Sequence, residues 1–283
     1  MGNSDSKLYN TQLSSEGIEK GIPTAIRISY QSSWKKYACF ARVNLEAGAP
    51  NAEPMYIISL PKGLYGDITL HSGTSNESPP LATSYRLKQY RDDYQITLPS
   101  FSGHGVHQET LRRPKGLKGR FWFGCLVGDG TEQRVERFEW RRSRGAEVRS
   151  VGQSSWGGYK LVRLGSTDTT HTKEEDYTSS EEDLPEGGSS SSSSSNHSEG
   201  YTSDGKEIVA VWGNASCWKT MSGVGEFQFR GSGATGELGN MWALMAVMSC
   251  MSIWQKVQRD NATAGTSASS ASSSIAAAAA AVA

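Results

Sequence analysis

One uninterrupted apolar segment near the C-terminus constrains the fold more than any other part of this 283-residue chain. Twelve of the fourteen residues 241–254 are apolar, and they cover every face of a helical wheel. A helix that spans a bilayer needs about 20 residues, so this segment is short for a membrane span. A helix that is apolar all round must be enclosed by something else. We therefore predict a helix over about residues 238–258, surrounded by protein and closed by Lys256 and Arg259 at its C-terminal end.

Short β-strands fill most of residues 25–164. Ile68 and Leu70 alternate with polar neighbours, a pattern that is typical of half-buried antiparallel strands. The clearest hairpin runs along residues 120–126, turns near residues 128–130 and returns along residues 134–142. In its return strand Phe138 and Trp140 share one face, and charged residues occupy the other. Shorter strands are predicted at residues 159–164, 208–212 and 227–229, so the fold class is mainly β.

Three biased segments surround or interrupt this strand-rich region. Residues 1–24 are polar and without a period, and residues 260–283 form a low-complexity Ser/Ala tail. Residues 166–205 contain two acidic triplets and seven consecutive serines, too little apolar surface to offset the entropy of ordering. We predict a single domain over residues 25–259 that is interrupted by a disordered insertion at 166–205.

Strands that end in a wholly apolar helix are an unusual combination. The segments 121–123, 137–141 and 239–254 give the chain a resemblance to the tubby C-terminal-like superfamily, which includes tubby domains, plant LURP-one-related proteins and phospholipid scramblases. Similar combinations are found in uncharacterised proteins of filamentous fungi. The resemblance covers roughly residues 25–259 by order of elements. It implies a closed antiparallel β-barrel around the hydrophobic helix, and a barrel also leaves no exposed strand edge.

The N-terminus matches the pattern for myristoylation. Gly2 becomes terminal once Met1 is removed, and Ser6 stands four residues further on. The alternative is a chance match in a disordered terminus, because the pattern fixes only two positions beyond Met1. Residues 1–25 contain no apolar segment of a signal peptide. We expect a cytoplasmic protein that is attached peripherally to a membrane through myristate at Gly2.

A basic run supplies the second signal that such attachment needs. One myristoyl chain gives only marginal binding, with an association constant on the order of 10⁴ M⁻¹. Tubby domains bind phosphoinositides through basic residues on the outside of the barrel, and an ordinary solvated loop is the alternative here. Near an anionic leaflet each Lys or Arg adds about 1 kcal/mol. The predicted lipid-headgroup site consists of five cations within nine residues: Arg112, Arg113, Lys115, Lys118 and Arg120.

The acidic insertion predicts a means of regulating attachment. Residues 112–149 carry eleven Lys/Arg against five Asp/Glu, a balance of 11 − 5 = +6, whereas residues 166–207 carry two against eleven, a balance of 2 − 11 = −9. Ser179 and Ser180 precede an acidic triplet, and phosphorylation there would add negative charge. We treat them as candidate phosphorylation sites that weaken attachment.

No motif in the sequence requires an enzyme. The GxGxxG pattern at residues 231–236 lacks the second strand and the acidic residue of a dinucleotide site, and we interpret it as a flexible turn. His104 and His107 have no third metal ligand at a suitable spacing. We expect a non-enzymatic adaptor without a cofactor, a metal ion or a nucleic-acid partner, which binds anionic lipid headgroups or a protein at the membrane. The alternative is a soluble barrel that binds or transfers a lipid-like ligand or has scramblase-like action.

Overall fold

The computed structural model describes residue 13 and residues 21–32, 42–88, 91–99, 106–117, 119–128, 133–151, 157–166, 200–215 and 222–280. Twelve strands in one sheet form most of this part of the chain. They are β1 (Ala25–Tyr30), β2 (Val43–Gly48), β3 (Tyr56–Leu60), β4 (Ile68–His71), β5 (Pro80–Lys88), β6 (Arg91–Pro99), β7 (Val106–Leu111), β8 (Arg120–Val127), β9 (Arg134–Ser143), β10 (Gly158–Ser166), β11 (Ile208–Asn214) and β12 (Gly223–Phe229).

The helices are two α-helices and two 3₁₀ turns within the described ranges. Helix α1 (Ala146–Arg149) is a single turn, and helix α2 (Gly239–Ala280) follows the last strand. The 3₁₀ turns span Gly63–Tyr65 and Gly231–Gly233.

The sheet curls into a nearly closed antiparallel barrel. Strands β1 to β7 follow one another as neighbours, and β1 also pairs with β12, from which the order continues back to β8. The two ends of the sheet, β7 and β8, meet at one bridge. There the Arg112 N–H donates to the Trp122 carbonyl at 2.8 Å, and the Trp122 N–H donates back at 2.9 Å. The predicted mainly β class and barrel architecture are confirmed.

The apolar part of α2 fills the barrel. Met245, Ala246 and Met248 have no solvent exposure. The two serines of the apolar segment are also buried, and each donates its hydroxyl to a carbonyl of the preceding helical turn. The Ser249 Oγ accepts a hydrogen bond from the Trp140 Nε1 at 2.9 Å, and the Ser252 Oγ lies 2.7 Å from the Ser84 Oγ. The polar atoms of the segment are therefore satisfied by the helix and by the barrel wall.

The prediction of an enclosed helix is confirmed, but its predicted end was wrong. Helix α2 continues from Gly239 to Ala280, through the segment that composition alone marked as a tail. Alanine has the highest helix propensity, and the last residues of α2 form an alanine run. Lys256 and Arg259 consequently lie within the helix and do not close it. Among the described residues no helix combines the length and the hydropathy that crossing a bilayer requires.

The two ends of the barrel are named here after helix α2, which enters the barrel at one end and leaves it at the other. At the entry end, where α2 begins, β10 stops at Ser166, which pairs with Glu136. At the exit end, where α2 leaves the barrel, Arg120 pairs with Arg141. Most of the insertion predicted at 166–205 lies outside the described residues, but its first residue is at the entry end. The basic run lies at the exit end, and Asp204, near the end of the acidic segment, binds Arg141, the residue that pairs with Arg120.

Candidate functional site

Four of the five predicted headgroup residues lie together at the exit end. Arg112 and Lys115 are exposed, and Arg113 and Arg120 are partly buried. Lys118 lies outside the described residues, as do Gly2, Ser179 and Ser180, so their predicted roles stay predictions. The segment between β7 and β8 therefore presents a group of cations, and their neighbours decide how much charge each contributes.

Trp122 lies between two arginines on the outer face of the barrel. The Arg112 Cζ is 5.1 Å from the centroid of its ring, and the Arg137 Cζ is 4.1 Å from it. Phe121 and Phe123, on either side of Trp122 in β8, are buried inside the barrel, so Trp122 points outward and is partly buried. Guanidinium groups at these distances interact with the face of the indole. The result is an aromatic side chain with a positive group on each side.

Glu139 compensates the charge of Arg120. This carboxylate is only 2% exposed and accepts from the Arg120 Nη1 at 3.2 Å and from the Arg141 Nε at 2.7 Å. Burial lowers the pKa of Arg141, but its hydrogen bonds to Glu139 and Asp204 outweigh burial and leave that pKa raised. Arg120 is therefore part of an ion pair on the barrel wall, and its guanidinium is less available to a ligand than that of Arg112.

A second cluster centres on Asp92, where α2 leaves the barrel. Its carboxylate lies 2.5 Å from the Arg113 Nη1, 3.2 Å from the Lys256 Nζ and 3.2 Å from the Arg259 Nη2. The Arg113 N–H also donates to the Asp93 Oδ1 at 2.8 Å. Burial raises the pKa of Asp92, but Lys256 and Arg113 outweigh burial and hold that pKa below its usual range. Asp92 therefore links Arg113 to Lys256 and Arg259 of helix α2.

Sequence reasoning missed the role of Asp92, although a signal for it was present. Asp92 has the same parity in β6 as Tyr94, Ile96 and Leu98, all of which are buried in the core. Because side chains alternate across a strand, this parity points Asp92 inward as well. An inward carboxylate needs cationic partners, and they come from Arg113 and from the two cations of α2.

The glycine-rich motif at residues 231–236 wraps around a carboxylate of the same chain. The backbone N–H and the hydroxyl of Ser232 donate to Glu207 at 2.7 and 2.9 Å. A Cβ at Gly231 would lie 2.3 Å from the Glu207 Oε1, and the φ of Gly231 is +48°. Glycine is therefore required here for both conformation and space. The interpretation of this motif as a turn is confirmed, and the turn binds the carboxylate of Glu207 through Ser232.

Arg163 connects this turn to the entry end of the barrel. Its guanidinium lies 2.6 Å from Glu136, 3.5 Å from Glu207 and 2.9 Å from Glu237. Glu136 is 2% exposed, and although burial raises its pKa, hydrogen bonds from Arg163 and Arg134 leave that pKa lowered. Ion pairs thus line the inner face where α2 enters, as they do where it leaves.

Among the described residues, the reactive side chains of His107, Cys125 and Cys250 have a local partner or are buried. His107 lies 2.8 Å from Glu109, a hydrogen bond that raises its pKa, and His104 lies outside the described residues. Cys125 and Cys250 are buried, which raises the pKa of both thiols. Across the described ranges, no three His, Cys, Asp or Glu side chains are grouped as metal ligands. At the exit end, exposed Arg112 and Lys115 thus lie near the partly buried ring of Trp122.

Comparison of the chain with models of known protein families, with curated proteins and with solved structures found no match. The resemblance to the tubby C-terminal-like superfamily accordingly stays a prediction from the sequence. The barrel around an apolar helix is an observation that stands independently of it.

Proposed function

We propose that the protein is a non-enzymatic peripheral membrane protein that binds anionic lipid headgroups through the exit end of its barrel. Myristate at Gly2 supplies a first, weak attachment to the cytoplasmic leaflet, and the basic residues supply the second. Phosphoinositides are the headgroups that the resemblance to tubby domains favours. The protein would then present the rest of the barrel to partners at the membrane.

The observation that carries this proposal is the position of Trp122 between Arg112 and Arg137. Tryptophan combines an apolar ring with a polar N–H and favours the boundary between water and lipid. The Arg112 guanidinium beside it can pair with phosphate while the ring contacts the upper acyl region. Exposed Lys115 lies at the same end and adds a further cation.

The ion pairs of the exit end lower the attraction that the sequence alone suggests. Arg113 is held by Asp92 and Arg120 by Glu139. Arg112 and Lys115 therefore remain as the main described contributors, and Lys118, which lies outside the described residues, is the predicted third. At about 1 kcal/mol each, three cations contribute about 3 kcal/mol, or roughly a hundredfold in membrane occupancy. Added to a single myristoyl chain, this is enough for reversible attachment.

The filled interior favours a surface function over an enclosed ligand. The residues of α2 that line the barrel interior are buried against the wall, with hydrogen bonds between Trp140 and Ser249 and between Ser84 and Ser252. A lipid-like ligand in this space would have to displace the helix and break these contacts. Binding at the outside of the barrel requires no such change.

Vesicle sedimentation with the myristoylated full chain tests the proposal. Replacing Arg112 and Lys115 by Gln removes two cations and should weaken binding to phosphatidylserine vesicles by about 2 kcal/mol, roughly thirtyfold. Arg27→Gln is the control for removing a cation elsewhere, because Arg27 is exposed on β1, at the opposite side of the barrel from the β7–β8 bridge. Equal losses for both proteins, or no binding by the wild type, would contradict the proposal. Vesicles that contain a phosphoinositide in place of phosphatidylserine measure headgroup preference.

A further inference from the structure

The connections between strands β2 and β9 separate charge along the barrel axis. Because neighbouring strands are antiparallel, successive connections alternate between the two ends. Those at the exit end contain five Lys/Arg and one Asp, a balance of 5 − 1 = +4, whereas those at the entry end contain no Lys/Arg and four Asp/Glu, a balance of 0 − 4 = −4. The connections are residues 61–67, 89–90 and 112–119 at the exit end, which we call the exit rim, and residues 49–55, 72–79, 100–105 and 128–133 at the entry end.

The first turn of the exit rim, between β3 and β4, is held in place by the enclosed helix. Gln255 of α2 is buried, and its Nε2 donates to the carbonyls of Gly66 and Gly63 at 2.9 and 3.4 Å. Between these glycines Leu64 is buried, whereas Tyr65 is 47% exposed. The turn therefore displays Tyr65 at the exit end on a backbone that the helix fixes.

The neighbouring β5–β6 hairpin displays a second apolar side chain at the same end. Leu87, near the end of β5, is 40% exposed. The hairpin leads into Asp92, which binds Lys256 and Arg259 of α2, so this part of the rim is also attached to the helix. Lys62, in the β3–β4 turn, is exposed. Since β3 to β7 are successive neighbours in the sheet, the turn, the hairpin and the basic run follow one another along the exit rim.

Exposed apolar side chains at the entry end have acidic neighbours instead. Met55 is 37% exposed, and the same connection contains exposed Glu53. Apolar exposure alone therefore does not distinguish the two ends, but its combination with positive charge does. An anionic leaflet fits this combination, because its boundary region accepts Tyr and aliphatic side chains and its headgroups attract Lys and Arg.

The extension of helix α2 does not oppose such contact electrostatically. Helix α2 leaves the barrel at the same end and continues to Ala280. After Asp260 the chain contains no Asp, Glu, Lys or Arg. Residues 261–280 consequently carry no charge that an anionic leaflet would repel.

We propose that the β3–β4 turn and the β5–β6 hairpin form a second membrane contact. Tyr65 and Leu87 enter the boundary between headgroups and acyl chains, and Lys62 pairs with lipid phosphate. This inference rests on the proposed binding of anionic leaflets through the β7–β8 segment and adds a second point of attachment on the same rim. Two points of attachment orient the barrel, with its exit end toward the leaflet and its acidic entry-end connections toward solution.

Sedimentation of the myristoylated full chain with phosphatidylserine vesicles tests this contact. Tyr65→Ser and Leu87→Ser remove apolar surface without changing charge, and each should weaken binding about fivefold, because binding scales with the apolar area that enters the boundary. Met55→Ser and Tyr201→Ser are the matched controls and should bind like the wild type. Their side chains are 37% and 50% exposed, but Met55 lies at the entry end and Tyr201 pairs with Glu207, away from the exit rim.

Salt separates the apolar part of the contact from the electrostatic part. Lys62→Gln should weaken binding at low ionic strength, and this loss should fade between about 0.1 and 0.5 M salt as exposed charges are screened. The losses caused by Tyr65→Ser and Leu87→Ser should persist over the same range. Tyr65→Trp should bind at least as well as the wild type, because tryptophan favours the same boundary. Thermal unfolding of each variant confirms that the barrel is intact.

Wild-type affinity in both Tyr65→Ser and Leu87→Ser would overturn this contact. The proposed function would still stand in that case if replacing Arg112 and Lys115 weakened binding. Equal losses in Tyr65→Ser and Met55→Ser would also overturn the contact, because the position of the apolar side chain would then not matter. A wild type that does not bind the vesicles would overturn both the contact and the proposed function.

Discussion

Trp140 donates a hydrogen bond from its Nε1 to the Oγ of Ser249 at 2.9 Å, and neither side chain has any solvent exposure. This contact joins the barrel wall to the helix inside it. The Ser249 hydroxyl donates in turn to the Ala246 carbonyl, so one small polar group satisfies the indole and remains satisfied itself. An aliphatic residue at this position would leave the indole N–H without an acceptor.

Ser249→Ala should therefore destabilise the protein by about 1–3 kcal/mol, the cost of a buried donor that has lost its acceptor. Chemical denaturation followed by tryptophan fluorescence measures this change. Ser252→Ala is the comparison, because it leaves only a hydroxyl on Ser84 unpaired and should cost less. If the two variants lost equal stability, the special role of the Trp140–Ser249 contact would be refuted.

Asp92→Asn should destabilise the exit end by about 2 kcal/mol at neutral pH, because Lys256 and Arg259 are buried and lose their shared carboxylate. The folded-state pKa of Asp92 is lowered, so its contribution is fully present above the unfolded pKa of about 4 and is lost as the pH falls through the folded value. The difference between wild type and variant should consequently be largest near pH 7 and smallest near pH 2.

Asp67→Asn is a control for which the change of stability with pH should have the opposite sign. Burial raises the pKa of Asp67 against the pull of Lys62, so the charged carboxylate opposes folding at neutral pH. This variant should gain stability relative to the wild type as the pH rises from about 3 to 7. Denaturation curves at several pH values measure both variants, and parallel pH profiles would argue against the Asp92 cluster.

Gly231→Ala should destabilise the protein by about 2–3 kcal/mol, since the new methyl group forces Glu207 away from Ser232 and the φ of +48° is itself strained. Gly236 also has a positive φ, +84°, but a Cβ there would meet no atom within 4 Å. Gly236→Ala should cost only about 1 kcal/mol of strain. Thermal unfolding of both proteins measures the difference, which would vanish if the turn did not need to hold Glu207.

Gly2→Ala should abolish acylation and move the protein from the membrane fraction to the soluble fraction. Metabolic labelling with an alkyne myristate followed by fractionation measures both effects. The basic residues alone are too few for stable attachment, because three cations contribute only about 3 kcal/mol. A wild type that is unlabelled and equally soluble would refute the membrane part of the proposed function.

Ser179→Asp together with Ser180→Asp should reduce membrane partitioning, because added negative charge opposes attraction to an anionic leaflet. Ser179→Ala with Ser180→Ala is the matched control and should partition like the unphosphorylated wild type. The insertion leaves the barrel at the entry end, but its residue Asp204 binds Arg141, beside Arg120. We expect a loss of about threefold. Unchanged partitioning of the Asp variant would exclude this regulation.

The sequence by itself determined the enclosed helix and the clearest hairpin. An apolar segment with only two serines in fourteen residues has no stable place except inside protein, and its local period is enough to identify it. A local period also identified the strands predicted at 120–126 and 134–142, which are observed as Arg120–Val127 and Arg134–Ser143. The alternation of Phe138 and Trp140 with charged neighbours correctly assigned the faces of the return strand, because a two-residue period is a local property.

Only the tertiary structure determined which ion pairs the charged residues form. The Arg259 guanidinium contacts the Asp92 carboxylate, which lies 167 positions away in the chain. Arg120 is less available to a ligand because it pairs with Glu139 on the neighbouring strand. No local period encodes such pairs, because they depend on how the barrel closes and on which inner face meets the helix. The single bridge between β7 and β8 has the same origin, since the closure of twelve strands around one helix sets its position. Local patterns specify elements, whereas closure of long loops around a filled core brings distant charges together.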